Sequence, residues 1–476
     1  MDYHVKQIGS HRGAPRLYFD TPMLRRAGFA PGCRYDLITR SGERHLALVL
    51  SVGGSRVVAR KARGRLEVPV IDINSKAVLD VFAGLSTVRI VLLNGSLHIL
   101  ALASHVRAQE RVDRLLAKVA AGQTLTTASL SFGGGIAAKA LHDGMSAAGV
   151  TTTLVVANEI DSDYLDLASL NHPLVTAETT LLAAPMQEVA ADDWLMQKLP
   201  KVDILEAGLP CSGASRAGVS KRHLAKMEDH PAVGHLVATA IVLIARLQPA
   251  VVVIENVDAY AASASAEILR KWLRDAGYVI SEVVLDARGF DSLEARVRWL
   301  LIAHPAEVDL KLSELEQRST GTAGCLGDVL ENIAGDDERF RRVEYLHAKS
   351  GRDAAAGKGF AMQLMKPSDV TVPTLRKGYA KGGSTDPRLL HPTDATRSRL
   401  LTAREHARIK GIDPTLLHGA SETMGHQLCG QSVDTRPVVA VGRQLAYALK
   451  AACVGEPNLG TPARSRTGVG KGQATG

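Results

Sequence analysis

Ala128-Ser129-Leu130-Ser131-Phe132-Gly133-Gly134-Gly135 is a short apolar run that breaks into three successive glycines. Residues 136–148 then carry a helical pattern. Thr153-Leu154-Val155-Val156-Ala157 reads as a second strand, ending at Asn158-Glu159-Ile160-Asp161. Strand, glycine turn, helix, strand and acid, in that order, describe a nucleotide-type cofactor site. The glycines let backbone N–H groups and a helix start approach a polar ligand, and the acid at the next strand end can accept two ribose hydroxyls. Glu159 follows Gly135 by 24 residues, close to the ~20 that such a unit takes. An α/β domain is therefore expected from residue 125 onward.

The same alternation continues downstream. Val202-Asp203-Ile204-Leu205-Glu206-Ala207 reads as a buried strand running into Gly208-Leu209-Pro210-Cys211-Ser212-Gly213-Ala214-Ser215-Arg216-Ala217-Gly218. Pro210 fixes a backbone angle, and the glycines let the loop approach a ligand, so Cys211 is a thiol presented at a strand end. The beta-branched run Pro249-Ala250-Val251-Val252-Val253-Ile254 predicts a strand covered on both faces, and Glu255 closes it. A carboxylate there lies on the ligand-binding edge of a parallel sheet. A further strand is expected over 297–302. Arg296 and Arg298 at its start share one face at period two, and guanidiniums so placed pair with acids or hold an anionic or carbonyl group.

Outside this core the pattern changes twice. Residues 1–103 alternate short apolar runs with turns, among them Asn94-Gly95 in the manner of a hairpin, and predict a small, mostly antiparallel beta domain. An amphipathic helix over 104–120 begins a linker that extends to residue 124. Residues 305–395 interrupt the alternation: the first half is acidic, while 345–390 holds eight Lys and Arg against three Asp and is rich in glycine. That composition suits a loop-rich segment touching phosphates. Helices resume within 396–455, and the tail 456–476 has the composition of a disordered segment.

Charge and cysteine content narrow the class. Residues 1–128 hold 19 Lys and Arg against 9 Asp and Glu, so the net +8 of the chain resides in its first quarter, and a polyanionic partner fits that end. The five cysteines are odd in number and contain no Cys-x-x-Cys pair, against a disulfide framework or a zinc site. No long apolar run and no secretory core appears, so the expectation is a cytoplasmic protein with no membrane and no metal.

Taken in order, these segments resemble the DNA (cytosine-5) methyltransferases over about residues 125–452. Leu130 to Gly135 resembles the family's S-adenosylmethionine loop, and Asn158-Glu159-Ile160-Asp161 its ribose-binding strand end. Pro210-Cys211 resembles its nucleophile loop, with Ser215 as the closing serine, and Glu255-Asn256-Val257 is its Glu-Asn-Val. Arg296-Val297-Arg298 resembles its Arg-x-Arg, and 399–405 with Gly430-Gln431-Ser432-Val433 its C-terminal motifs. The chain departs from the pattern at Ser212 and Glu294, where glutamine is usual, and at Gln431, where asparagine is. Phe132 lies two positions past the adenine-stacking slot, which Leu130 occupies, and Pro185-Met186-Gln187-Glu188-Val189 stands near where a Gly-Asp-Ile is expected.

The resemblance implies a Rossmann-like, S-adenosylmethionine-dependent methyltransferase with a mixed sheet, beside the beta-rich N-terminal domain and a loop-rich target-recognition region at 305–395. It implies that Leu130, Phe132, Gly133, Gly135, Glu159, Ile160, Gln187, Pro210, Ser432 and Val433 bind the cofactor. Cys211 would attack carbon 6 of a flipped-out cytosine, Glu255 would serve N3 and Arg298 the O2 carbonyl, while Arg296 would lower the thiol pKa or order its loop. Ser212, Ser215, Lys358, Thr374, Arg376 and Lys377 would contact double-stranded DNA. A restriction endonuclease partner in the host is compatible with this reading. Two alternatives stand beside it: a tRNA cytosine-5 methyltransferase, and a DNA-binding regulator whose catalytic core has decayed.

Overall fold

The run Val251–Asn256 forms the middle of a seven-stranded sheet, and its alternate side chains enter two different cores. Val251 and Val253 pack on one face, Val252 and Ile254 on the other, as a strand with both faces covered requires. The computed structural model describes residues 1–39, 43–210, 226–231, 233–315 and 324–454. Contacts divide the chain into two units, Met1–Arg107 and Ala108–Gly455.

The first unit is antiparallel. Strands β1 (Asp2–Gln7), β2 (Gly9–His11), β3 (Ala14–Asp20), β4 (Arg34–Thr39) and β5 (His45–Leu50) are followed by β6 (Arg56–Val57), β7 (Ala59–Arg63), β8 (Leu66–Ile73), β9 (Thr87–Leu93) and β10 (Ser96–Ala101). They make two sheets, ordered β1-β9-β10-β5-β4-β6 and β2-β3-β8-β7. Leu17, Phe19, Phe29, Tyr35, Leu48 and Ile90 belong to their shared apolar core. Asn94-Gly95 joins β9 to β10, with Gly95 at φ 79°. The hairpin of β7 and β8 was not legible, because every residue of β7 is exposed and no apolar alternation marks it.

The second unit begins within the helix Ala103–Ala120, expected as part of a linker. From Ala108 onward it packs on the base of the large sheet. Arg114 and Lys118 reach the fully buried Asp203 at 3.1 and 2.6 Å. The sheet consists of β11 (Leu125–Leu130), β12 (Thr152–Glu159), β13 (Thr180–Ala183), β14 (Ile204–Gly208), β15 (Val251–Asn256), β16 (Val279–Asp286) and β17 (Val297–His304). Its order is β13-β12-β11-β14-β15-β17-β16, and only the contacts of β17 are antiparallel.

The helices Ile136–Ala147 and Thr435–Val454 cover one face. Leu236–Leu247 and Ala264–Asp275 cover the other. The first pair touches backbone to backbone: a side chain at Gly144 would run into the Val439 carbonyl, and one at Gly442 would stand 2.5 Å from that of Leu141. Residues 305–395 hold more regular structure than their composition suggests. The helix Glu344–Ala355 sits beside a small sheet of β18 (Arg341–Arg342), β19 (Leu364–Met365), β20 (Arg388–Leu390) and β21 (Arg397–Arg399). Among the described residues no helix is long and apolar enough to cross a membrane.

Glu206 interrupts the apolar face of β14. It is buried and accepts the Ser129 hydroxyl at 2.6 Å, and burial pushes its carboxyl up to about 7. Because that value lies above the ordinary 4.5, the folded state holds a proton that the unfolded chain releases, and stability falls as pH rises from 4.5 to 7. Glu206→Gln should therefore stabilise the protein by up to about 3 kcal/mol above pH 7 and by little at pH 4.5. Thermal melts at the two pH values test this, and an equal gain at both would contradict it.

Candidate active site

Six strands that share one direction end along one edge of the large sheet, and the reversed β17 begins there. The glycine turn after β11 is held from beneath by Glu159 at the end of β12. One carboxylate oxygen accepts the Gly133 N–H at 2.7 Å, and the other accepts those of Ile160 and Asp161 at 2.9 and 3.2 Å. Gly135 adopts φ 73°, and a side chain there would overlap Phe132 and stand 2.5 Å from His172 Nε2.

Burial lowers the His172 imidazole to about 4, so it is neutral. Its Nδ1 accepts the Leu174 N–H at 3.2 Å, which leaves Nε2–H to donate to the Gly135 carbonyl at 3.1 Å. Phe132 packs edge-on against this ring, with centroids 5.4 Å apart. Leu130 lies in the core beneath the loop, so only its backbone faces the edge. Ile160, by contrast, is 69% exposed. Gln187, in the helix Met186–Ala191, donates to His235 Nε2 at 2.9 Å.

On the next two strands, Pro210 follows β14, while Cys211, Ser212 and Ser215 lie outside the described residues. The chain is pinned just before that loop, where the buried Asn256 amide donates to the Leu209 carbonyl at 3.0 Å and its oxygen accepts the Val257 N–H at 2.9 Å. Glu255 stands next to Gly208, where a side chain would meet its carboxylate at 3.9 Å. Arg298 Nε meets Glu255 Oε1 at 2.7 Å, and both groups are partly exposed. A crevice at this point is lined by Glu255, Arg296, Arg298, Leu300, Val433 and Asp434. The arrangement pairs a carboxylate with a cation beside the chain that leads to the Cys211 thiol. That set can protonate or hydrogen-bond one atom of a planar ring and neutralise a developing negative charge on another.

Arg296 is taken up by an acid and by carbonyls, while the Cys211 thiol and loop on which it is expected to act lie outside the described residues. Its side chain is buried, donates to the carbonyls of Ser432 and, at 3.4 Å, of Gly430, and lies 3.7 Å from Glu294 Oε1. The physical reason is the end of the helix Glu422–Gln431, whose last carbonyls lack intrahelical donors and are met by a guanidinium. Ser432 hence presents its backbone to Arg296, its hydroxyl donates to the Cys429 carbonyl at 2.8 Å, and Val433 is buried. Gln431 lies against the glycine turn, its Nε2 3.1 Å from the position a side chain at Gly133 would take.

The expected DNA-contacting residues are placed unevenly. The Thr374 hydroxyl donates to the Ala295 carbonyl at 2.6 Å. Arg376 is paired with Asp386 at 2.5 Å, and its side chain remains 48% exposed. Lys377 lies over the Tyr164 ring at 5.4 Å, and Lys358 is exposed. Asn256 and His172 are parts of the site that the sequence reading does not single out. Of these, only Asn256 carried a local signal, standing next to Glu255 at a strand end.

The model of the C-5 cytosine-specific DNA methylase family matches residues 132–447, and the chain belongs to that family. It is accordingly an enzyme that methylates carbon 5 of cytosine in DNA. The chain is 26% identical over 305 residues to Type II methyltransferase M.NlaX of Neisseria lactamica, covering 62% of this chain and 90% of that protein. It is 24% identical over 311 residues to the DNA-cytosine methyltransferase of Escherichia coli K12, covering 56% and 65%. Its fold is similar to that of the Dnmt2 methyltransferase of S. pombe, with a TM-score of 0.54, 20% identity and coverage of 69% and 99%. The methyltransferase EhMeth of Entamoeba histolytica gives 0.51 and 15%, with coverage of 68% and 98%.

Gly135→Ala should lower the melting temperature by several degrees, since left-handed strain costs about 1–3 kcal/mol and the methyl group collides with two packed rings. Calorimetry reads this directly, and an unchanged melting temperature would mean the turn is not held as described.

Proposed function

We propose that the enzyme methylates cytosine within a specific duplex DNA sequence and takes the methyl group from S-adenosylmethionine. The observation that carries this reading is the 2.7 Å pairing of Glu255 with Arg298 beside the strand that runs into Pro210 and Cys211. S-adenosylmethionine, when bound, supplies a methyl group on a sulfonium. The edge of the sheet suits that ligand: Glu159, with three backbone N–H groups on its carboxylate, keeps about one lone pair for a ribose hydroxyl, and exposed Ile160 offers an apolar surface to a ring. Phe132, Gly133, Gly135, Gln187, Pro210, Ser432 and Val433 complete the proposed holding set, with Leu130 contributing through its backbone.

The Cys211 thiolate adds to carbon 6 of the cytosine and makes carbon 5 nucleophilic. Glu255 provides the proton or strong hydrogen bond at N3, and Arg298 steadies the charge that grows at O2. Once carbon 5 has taken the methyl group, loss of its proton and departure of the thiol restore the ring. These atoms are closed off inside a duplex, so the base must be flipped out, at about a few kcal/mol. The similarity to Type II methyltransferases supports a restriction–modification setting in the cytoplasm, alongside a cognate endonuclease. Cys211→Ser should abolish incorporation of tritiated methyl into duplex DNA while leaving DNA binding intact. Incorporation by that variant, or by the wild type into tRNA in preference to DNA, would refute this reading.

The N-terminal unit adds a phosphate contact in this proposal. Strand β7 is an exposed edge strand carrying Arg60, Lys61 and Arg63, with Arg65 in the turn that follows. Arg60 and Lys61 have acidic partners in Glu67 and Asp20, which leaves Arg63 and Arg65 for phosphates. Arg63→Ala with Arg65→Ala should reduce the slope of log affinity against log salt by about 2, at roughly 0.9 per phosphate. An unchanged slope would remove this unit from the DNA interface.

A further inference from the structure

Glu294, Arg296 and Lys410 form a buried ionic cluster that the chemistry above does not use. Glu294 and Lys410 are 0% exposed and Arg296 3%. Lys410 Nζ stands 3.4 Å from Glu294 Oε2, while Glu294 Oε1 lies 3.7 Å from Arg296 and accepts the Leu375 N–H at 2.8 Å. Glu294 also pairs with Val372 as a β-bridge. Around it, the Val372 N–H reaches the Leu293 carbonyl at 2.6 Å, and the Ala295 N–H reaches that of Val372 at 2.9 Å. The Thr374 hydroxyl binds the Ala295 carbonyl at 2.6 Å. Lys410 closes the helix Ala403–Ile409, and its carbonyl accepts from Thr435 N–H at 3.0 Å and the Thr435 hydroxyl at 3.1 Å.

One carboxylate thus grips three things: the backbone of residues 372–375, the guanidinium two residues before Arg298, and the lysine that anchors the start of the helix Thr435–Val454. Burying ions costs several kcal/mol each, and such clusters are weak stabilisers. A neutral glutamine at 294 could accept the same Leu375 N–H without charge, but it would leave Lys410 without its anion. The Glu294 departure and Lys410 therefore belong together as one device.

We propose that Glu294 and Lys410 are positioning residues that lock the segment 372–375 to Arg296, so that Arg298 stays set against Glu255 when that segment engages DNA. The inference rests on the functional reading above. Loss of either charge shifts the balance on Arg296. Without Glu294, two cations face each other in the interior. Without Lys410, Glu294 draws Arg296 away from the Ser432 and Gly430 carbonyls. Removing both leaves one arginine with a neutral acceptor, which restores the balance.

The charges facing Lys410 are Glu294, Arg296 and Arg298, with the Cys429 thiol opposite and His406 on its own helix. Burial lowers Lys410 to about 8 and raises Cys429 to about 12, while His406 is held well below its ordinary value and stays neutral. Near pH 8 Lys410 is accordingly the member of this cluster that changes charge. Its protonated form prevails below that pH, and above it the wild type adopts the charge state of Lys410→Met.

The test uses the full chain and duplex DNA, with kcat and KM for both substrates, melting temperature and a pH profile. Glu294→Gln and Lys410→Met should each lower kcat about tenfold with KM for S-adenosylmethionine little changed, and the double variant should return to within about threefold of wild type. Wild-type kcat should fall above pH 8, whereas the double variant should lack that alkaline limb. A double variant no better than the worse single, or kcat values that follow melting temperature alone, would overturn the proposal. A wild type that transfers no methyl to DNA would refute the functional reading instead, and is distinguishable because it involves no variant.

Discussion

Glu255 and Arg298 meet because one strand of the large sheet runs against the others. β15 ends at the ligand edge and β17 begins there, so a carboxylate at a strand's finish faces a guanidinium at its neighbour's start, 2.7 Å away. Had β17 been parallel, its eight residues would carry Arg298 to the far edge, about 25 Å off. The reversal also brings Glu294 and Arg296 to the same edge, where they meet the end of the helix Glu422–Gln431 and the segment 372–375.

Two floors are built along that edge by the same economy of groups. On one side a single carboxylate, Glu159, gathers three backbone N–H groups from two loops. On the other, Asn256 fixes both Leu209 and Val257 with one amide. The glycine turn is therefore ordered before any ligand arrives, which is the condition under which fixed dipoles and charges lower a barrier without reorganising. Gln431 and Val433 border these floors from the C-terminal side, so the site is drawn from residues separated by some 300 positions in the chain.

The sequence disclosed most where a single physical rule dominates. Glycines at a strand end, the beta-branched run at 251–254, and the acids Glu159 and Glu255 each follow from local chemistry, and the strands and turns appear there. What stayed hidden depends on partners far along the chain. Arg296 reads as an active-site cation until its carbonyl partners, 134 and 136 residues away, are in view. Lys410 reads as an ordinary surface lysine at a helix end, and its burial is purely tertiary. The exposed strand β7 and the helix Glu344–Ala355 lacked the apolar periodicity by which short elements are recognised. Cys211, the residue most legible from its neighbours, lies outside the described residues.

The backbone contact at Gly144 and Gly442 has a bearing on how the molecule is made. The helix that leaves the glycine turn leans on one synthesised 298 residues later. During translation its apolar face must wait for that partner, with the whole of residues 305–395 emerging in between. The strands of the large sheet are thus complete by His304 while one of its faces stays uncovered, and a ribosome that stalls within residues 305–395 would release a chain whose sheet lacks its last covering helix.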